Sequence, residues 1–113
     1  MFTVTEGVEF DTIAREWRCK WSADSDKKSL QEAQKQLNAV LPQLKSIDGV
    51  KDVQRVVCGG CLDFKVMISL PVEKFKAWEA KEFAPEAEFL GALNEIEGIT
   101  TVETQNFTLM SMI

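Results

Sequence analysis

Two groups of side chains in this sequence have the type and spacing to do chemistry. The first is Cys58-Gly59-Gly60-Cys61, two thiols separated by two residues. Such a pair can exchange between dithiol and disulfide, or supply half of a thiolate metal site. The second is a set of charges that recur at every other position. Glu16, Arg18 and Lys20 alternate with Trp17, Cys19 and Trp21, and Asp63 and Lys65 alternate with Leu62, Phe64 and Val66. In extended chain such charges share one face. With Gln54, Met67 and Glu103 or Gln105 beside them, they form a surface suited to a polar or anionic small molecule, with Arg18 as its carboxylate clamp.

Other chemistry is poorly provided for. The chain contains no histidine and no tyrosine, which removes the commonest general base and the commonest nitrogen metal ligand. A third thiol, Cys19, has the parity of Trp17 and Trp21, whereas Cys61 has the parity opposite to Leu62 and Phe64. Cys19 therefore belongs to a core and does not complete a metal site with the pair. No metal and no cofactor is expected. Reduced Cys58 and Cys61 are the expected resting state, since three cysteines do not make a disulfide framework. Glu73, Glu79, Glu82, Glu86 and Glu88 read as a solvated helix face. Trp17, Trp21 and Trp78 read as core.

The elements that must position these groups follow from periodicity. Leu62, Phe64, Val66, Ile68 and Leu70 alternate strictly, the pattern of a half-buried strand. Val50, Val53, Val56 and Val57 make a β-branched run before it. Gly59-Gly60 between them suits a two-residue type I′ turn with positive φ at both positions, placing Cys58 opposite Cys61. Residues 16–21 form an earlier strand, and residues 1–12 an N-terminal arm with a short strand. Ser29 to Glu32 has capping-box spacing, and Leu30, Ala33, Leu37, Leu41 and Leu44 continue at helical spacing until Pro42 kinks or ends the helix. A second helix starts at Val72, is interrupted at Ala84-Pro85, and buries Phe89, Leu90, Leu93 and Ile96. The last strand spans residues 99–112.

An ungapped internal repeat ties the halves together. Leu44-Lys-Ser-Ile-Asp-Gly-Val-Lys-Asp-Val aligns with Leu93-Asn-Glu-Ile-Glu-Gly-Ile-Thr-Thr-Val, each a helix end, a Gly turn and a strand entry. The order strand, helix, strand, strand, helix, strand predicts an α+β, ferredoxin-like βαββαβ sandwich over residues 13–113. Its four-stranded antiparallel sheet has two helices on one face and can pair as a dimeric α+β barrel.

Composition sets the setting. The net charge is −5, which disfavours nucleic acid as a partner. No apolar run reaches the roughly 20 residues of a membrane span, and the N-terminus lacks signal-peptide character. The expectation is an intracellular, cytoplasmic protein with neither membrane nor nucleic acid as partner.

Residues 46–110 resemble the effector-binding domain of the leucine- and asparagine-responsive transcription regulators (the Lrp/AsnC type). The matching positions are Val53, Val56, Gly60, Asp63, Phe64, Val66, Gly98-Ile99 and Thr104. The resemblance implies a domain that dimerises through its sheet and binds a small effector near the Gly turn. No helix-turn-helix precedes it, and the first strand, with two tryptophans, departs from that family. Three functions fit these readings. The favoured one is a non-enzymatic homodimeric module for a small polar or anionic ligand, or for a protein partner. It would use Arg18, Lys20, Gln54, Gly59, Gly60, Asp63 and Lys65. The others are a small dimeric α+β-barrel enzyme and a redox sensor built on Cys58 and Cys61.

Overall fold

The computed structural model describes residues 1–113. A short hairpin, β1 (Phe2–Thr5) and β2 (Val8–Phe10), turns at Gly7, whose φ is +81°. It leads into β3 (Thr12–Lys20), followed by α1 (Asp24–Lys45), β4 (Asp52–Cys58), β5 (Asp63–Pro71), α2 (Val72–Glu79), α3 (Glu86–Asn94) and β6 (Thr100–Leu109). The main sheet is antiparallel throughout, in the order β4-β5-β3-β6. That order, with helices packed on one face, is the ferredoxin-like sandwich that the sequence pattern predicts.

The core lies where the alternation places it. Phe64, Val66, Ile68 and Leu70 of β5 are fully buried, opposite Cys19, Trp17, Arg15 and Ile13 of β3. Ala33, Leu37 and Leu44 of α1 and Phe75, Trp78, Phe89 and Leu93 of the later helices close over them. Burial of each large apolar side chain is worth about 1.5–3 kcal/mol, so this layer dominates stability. Trp17 packs in tilted contact with Phe89, at 5.1 Å between ring centroids, and with Trp78, at 6.3 Å.

The internal repeat is realised bond for bond. Ile47 N–H donates to Leu44 and Val50 N–H to Ile47, while Ile96 donates to Leu93 and Ile99 to Ile96. Gly49 and Gly98 then take φ of +83° and +96°. At Gly98 a side chain would also meet Ser29, 3.1 Å from the Cβ position.

Several local expectations are corrected. β3 starts at Thr12 rather than Glu16, because Ile13 and Arg15 continue the inward parity of Trp17. Ser29 does not form a capping box with Glu32. Its hydroxyl is buried, accepting from Ser22 N–H and donating to the Ser22 carbonyl, while Glu32 pairs with Lys35. Three left-handed residues, Ser25, Asp26 and Lys27, precede the regular part of α1. Pro42 lies inside α1, which continues to Lys45. Leu62 is not yet strand and has φ of +60°.

Candidate functional site

The face of the sheet away from the helices carries the charge alternation. From the strand register, Arg18 stands between Lys65 of β5 and Glu103 of β6, and Glu16 between Met67 and Gln105. Lys20 faces Asp63, and Gln54 of β4 faces Met67. Strand pairing thus brings Arg18, Lys20, Asp63 and Lys65 onto one surface with Glu16 at its centre.

Glu16 is the unusual member. Its side chain is only 4% exposed although no helix covers it. One carboxylate oxygen accepts from Gln105 Nε2 at 2.7 Å and lies 3.8 Å from Arg18 Nη1; the other lies 3.9 Å from Lys65 Nζ. Arg18 turns its other guanidinium nitrogen to Glu103 Oε1 at 3.2 Å. Lys65 has no hydrogen-bond acceptor, and its nearest anion is that distant Glu16 oxygen. The centre of the face therefore holds two cations that are attracted to one carboxylate without being saturated by it.

Toward the β4–β5 loop, Lys20 forms a 2.5 Å ion pair with Asp63 and donates to the Cys61 carbonyl at 2.9 Å. The hydrogen bond from Lys20 holds the Asp63 carboxyl below its ordinary range, with Lys65 and Arg18 adding to the effect. Trp21 Nε1 donates to the Asp63 carbonyl from the other side of the sheet. Gln54 shares the face but turns along its own edge strand, donating to Asp52 at 2.6 Å.

The loop differs from the expected two-residue turn. β4 ends at Cys58 and β5 begins at Asp63, and these two residues are the cross-strand pair. Gly59, Gly60, Cys61 and Leu62 form the loop, and its positive φ falls on Leu62 rather than on either glycine. Gly59 and Gly60 are exposed, with open space where side chains would be, and stand beyond the charged cluster instead of within it. Cys58 and Cys61 are joined as a disulfide with a Cα–Cα distance of 5.6 Å, where the sequence suggested free thiols. Cys19 is a buried free thiol. Burial, and secondarily the Asp63 charge, pushes its pKa up to about 11.

A second cluster has no counterpart in the sequence reading. On the helix side, Arg15 makes a two-pronged ion pair with Glu86 of α3, at 2.8 and 2.9 Å. The same guanidinium donates to Thr104 and Asn106 of β6 and lies 4.1 Å from the Phe83 ring centroid. Trp17 Nε1 also donates to Glu86, at 2.8 Å. Glu86 therefore leaves the solvated acidic face assigned to it, because a guanidinium and an indole N–H on the inward face of β3 both need an acceptor. The signal was available: a charge at the buried parity of a strand calls for a partner elsewhere in the chain.

No family model matches the chain, and no curated protein matches it. Among solved structures it is similar to Rv0793 from Mycobacterium tuberculosis, with TM-score 0.60 and 12% identity over 88% of this chain and 96% of that one. It also matches uncharacterized protein TM1266 from Thermotoga maritima, with TM-score 0.40 and 10% identity over 90% of this chain and 100% of that one. The first likeness establishes the fold and nothing finer.

Proposed function

We propose that this chain is a non-enzymatic homodimeric module that pairs through its open sheet faces and holds a small anion between them. The observation that carries the reading is Lys65, a partly buried ammonium without a hydrogen-bond acceptor beside the incompletely paired Arg18. Facing a second sheet, these two cations would line an enclosed space in which a carboxylate or phosphate supplies the missing acceptors. Glu16 keeps the pair apart and oriented. Gln105 fixes it there, and a chain with no histidine or tyrosine lacks the commonest general base, which favours binding over catalysis.

The resemblance to regulator effector domains supports the same reading, since it implies sheet-mediated dimers and a ligand near the Gly60 to Asp63 turn. Asp63 is not itself a donor, but it fixes Lys20 at the rim. Native mass spectrometry of freshly purified protein tests the proposal. Expected is a species of twice 12.7 kDa carrying an added small mass, with that mass lost in an Arg18→Ala, Lys65→Ala variant. A wild-type chain that stays monomeric at micromolar concentration would overturn it.

A second reading, a redox sensor, draws on the bonded Cys58 and Cys61. Reduction by a dithiol would deliver two electrons and two protons to the pair, leaving two thiols and the dithiol as its own disulfide. Lys20 connects that loop to the charged face through the Cys61 carbonyl and Asp63. If this reading holds, anion affinity differs between oxidised and reduced protein. Equal affinities would dismiss it.

A further inference from the structure

We infer that the N-terminal hairpin is a clasp that docks on a second copy of this chain. The inference rests on the dimer proposed above and specifies a part of its interface that the sheet faces alone do not supply.

The hairpin is amphipathic. Phe2 and Phe10 are register partners whose rings stack at 5.7 Å, and Val8 shares the strand face of Phe10, while Thr3 and Glu9 point the other way. Yet β1 and β2 pack extensively only against each other. A two-stranded ribbon is marginal alone in water and needs a surface for its apolar side. Of the ten exposed large hydrophobics in the chain, eight lie on this hairpin and the adjoining C-terminal tail: Met1, Phe2, Val4, Val8, Leu109, Met110, Met112 and Ile113. The Asp11 N–H, donating to the Leu109 carbonyl, holds the two segments at one end of the sheet.

The dimensions agree. The radius of gyration is 15.1 Å, against about 13 Å for a compact chain of this length. The accessible surface is 6879 Å², against about 6,200 Å² for a compact monomer of this mass. If each copy buried that excess of about 700 Å² on its partner, the pair would cover about 1,400 Å², the size of a stable interface.

Charge and symmetry select the occupant. Residues 1–10 contain Glu6 and Glu9 and no lysine or arginine, which disfavours an anionic lipid surface. The two exposed large hydrophobics outside the termini are Val56 and Val57 on edge strand β4. Val56 stands opposite Lys65 and near Met67 on the open face, whereas Val57, opposite Phe64, lies on the helix side. Val56 and Met67 thus offer a small apolar patch beside an ammonium to a ribbon whose only charged side chains are Glu6 and Glu9. Both surfaces are on the same chain, and a twofold exchange satisfies both copies.

The test is a Val4→Ser, Val8→Ser variant, which leaves net charge unchanged. Sedimentation equilibrium should show the dimer dissociation constant raised by about 100-fold, with the tryptophan near-ultraviolet circular dichroism of the body retained. In mixed-isotope wild-type dimers, the Val4 and Val8 methyls of one copy should show Overhauser contacts to Val56 or Met67 of the other. A dimer unaffected by the variant and lacking those contacts would overturn the clasp while leaving the sheet-face dimer standing. A monomeric wild-type chain would overturn both.

Discussion

Arg15 and Glu86, separated by 71 residues, form a two-pronged ion pair that fastens the start of α3 to the centre of the sheet. Both side chains are about one-seventh exposed, at 14% and 15%, and Glu86 also serves Trp17. Such a pair adds little net stability when intact, but removing Glu86 leaves the Arg15 charge with only the neutral acceptors Thr104 and Asn106, and the Trp17 N–H with none. Glu86→Ala should therefore cost about 2–4 kcal/mol in urea unfolding followed by tryptophan fluorescence. A cost below about 1 kcal/mol would mean the pair behaves as a surface contact.

On the neighbouring strand β5 and the same face of the sheet, Phe64 sets the scale of the apolar core. It is fully buried opposite Cys19, so Phe64→Ala should cost about 3–5 kcal/mol. In a domain of this size that is a large part of total stability, and the expected outcome is a melting point lowered by well over ten degrees (about 4–8 °C per kcal/mol). An unchanged melting point would place β5 in the wrong register.

The layout was legible because its signals are periodic. Strict alternation over β5, the α1 stripe and the Leu44 and Leu93 repeat each encode which face is buried, and hydrophobic burial enforces them. What was illegible depends on partners distant in sequence. Glu86 looks like its neighbours Glu82 and Glu88 until Arg15 and Trp17 are brought beneath it. The Gly59-Gly60 turn failed for a different reason. Glycine permits positive φ without requiring it, and here the reversal uses a longer loop with the left-handed residue at Leu62. Of the proposed site, the shared face of Arg18, Lys20, Asp63 and Lys65 follows directly from strand parity. The isolation of Lys65 and the burial of Glu16 arise from side-chain packing that parity does not specify.

The buried Cys19 thiol gives a pH dependence with a definite sign. Its folded pKa is about 11 against an ordinary value of 9.0, so the unfolded chain releases this proton first. The contribution is fully present below pH 9.0 and is lost as pH rises toward about 11. The total change is on the order of 2–3 kcal/mol. Denaturant midpoints measured from pH 8 to pH 11 should fall for wild type and fall less for Cys19→Ala. Parallel decline in both proteins would assign the loss to other groups.

The bonded pair at the β4–β5 loop makes a separate prediction. Non-reduced protein should weigh two hydrogens less than reduced protein, and under native conditions a thiol reagent should find no rapidly reacting cysteine, because Cys19 is buried and protonated. The bridge closes a very short segment, so it restricts the unfolded chain little and should contribute about 2 kcal/mol or less. Replacing Cys58 and Cys61 by serine should accordingly leave the fold and the proposed dimer intact, with only a modest drop in melting temperature. The Lys20 and Asp63 contact does not depend on the sulfur bridge for its partners, so the depressed Asp63 carboxyl pKa should survive in the serine variant. A carbon-detected titration of that carboxyl checks the point. Return of Asp63 to its ordinary range would show that the bridge, rather than strand pairing, holds this rim of the face in place.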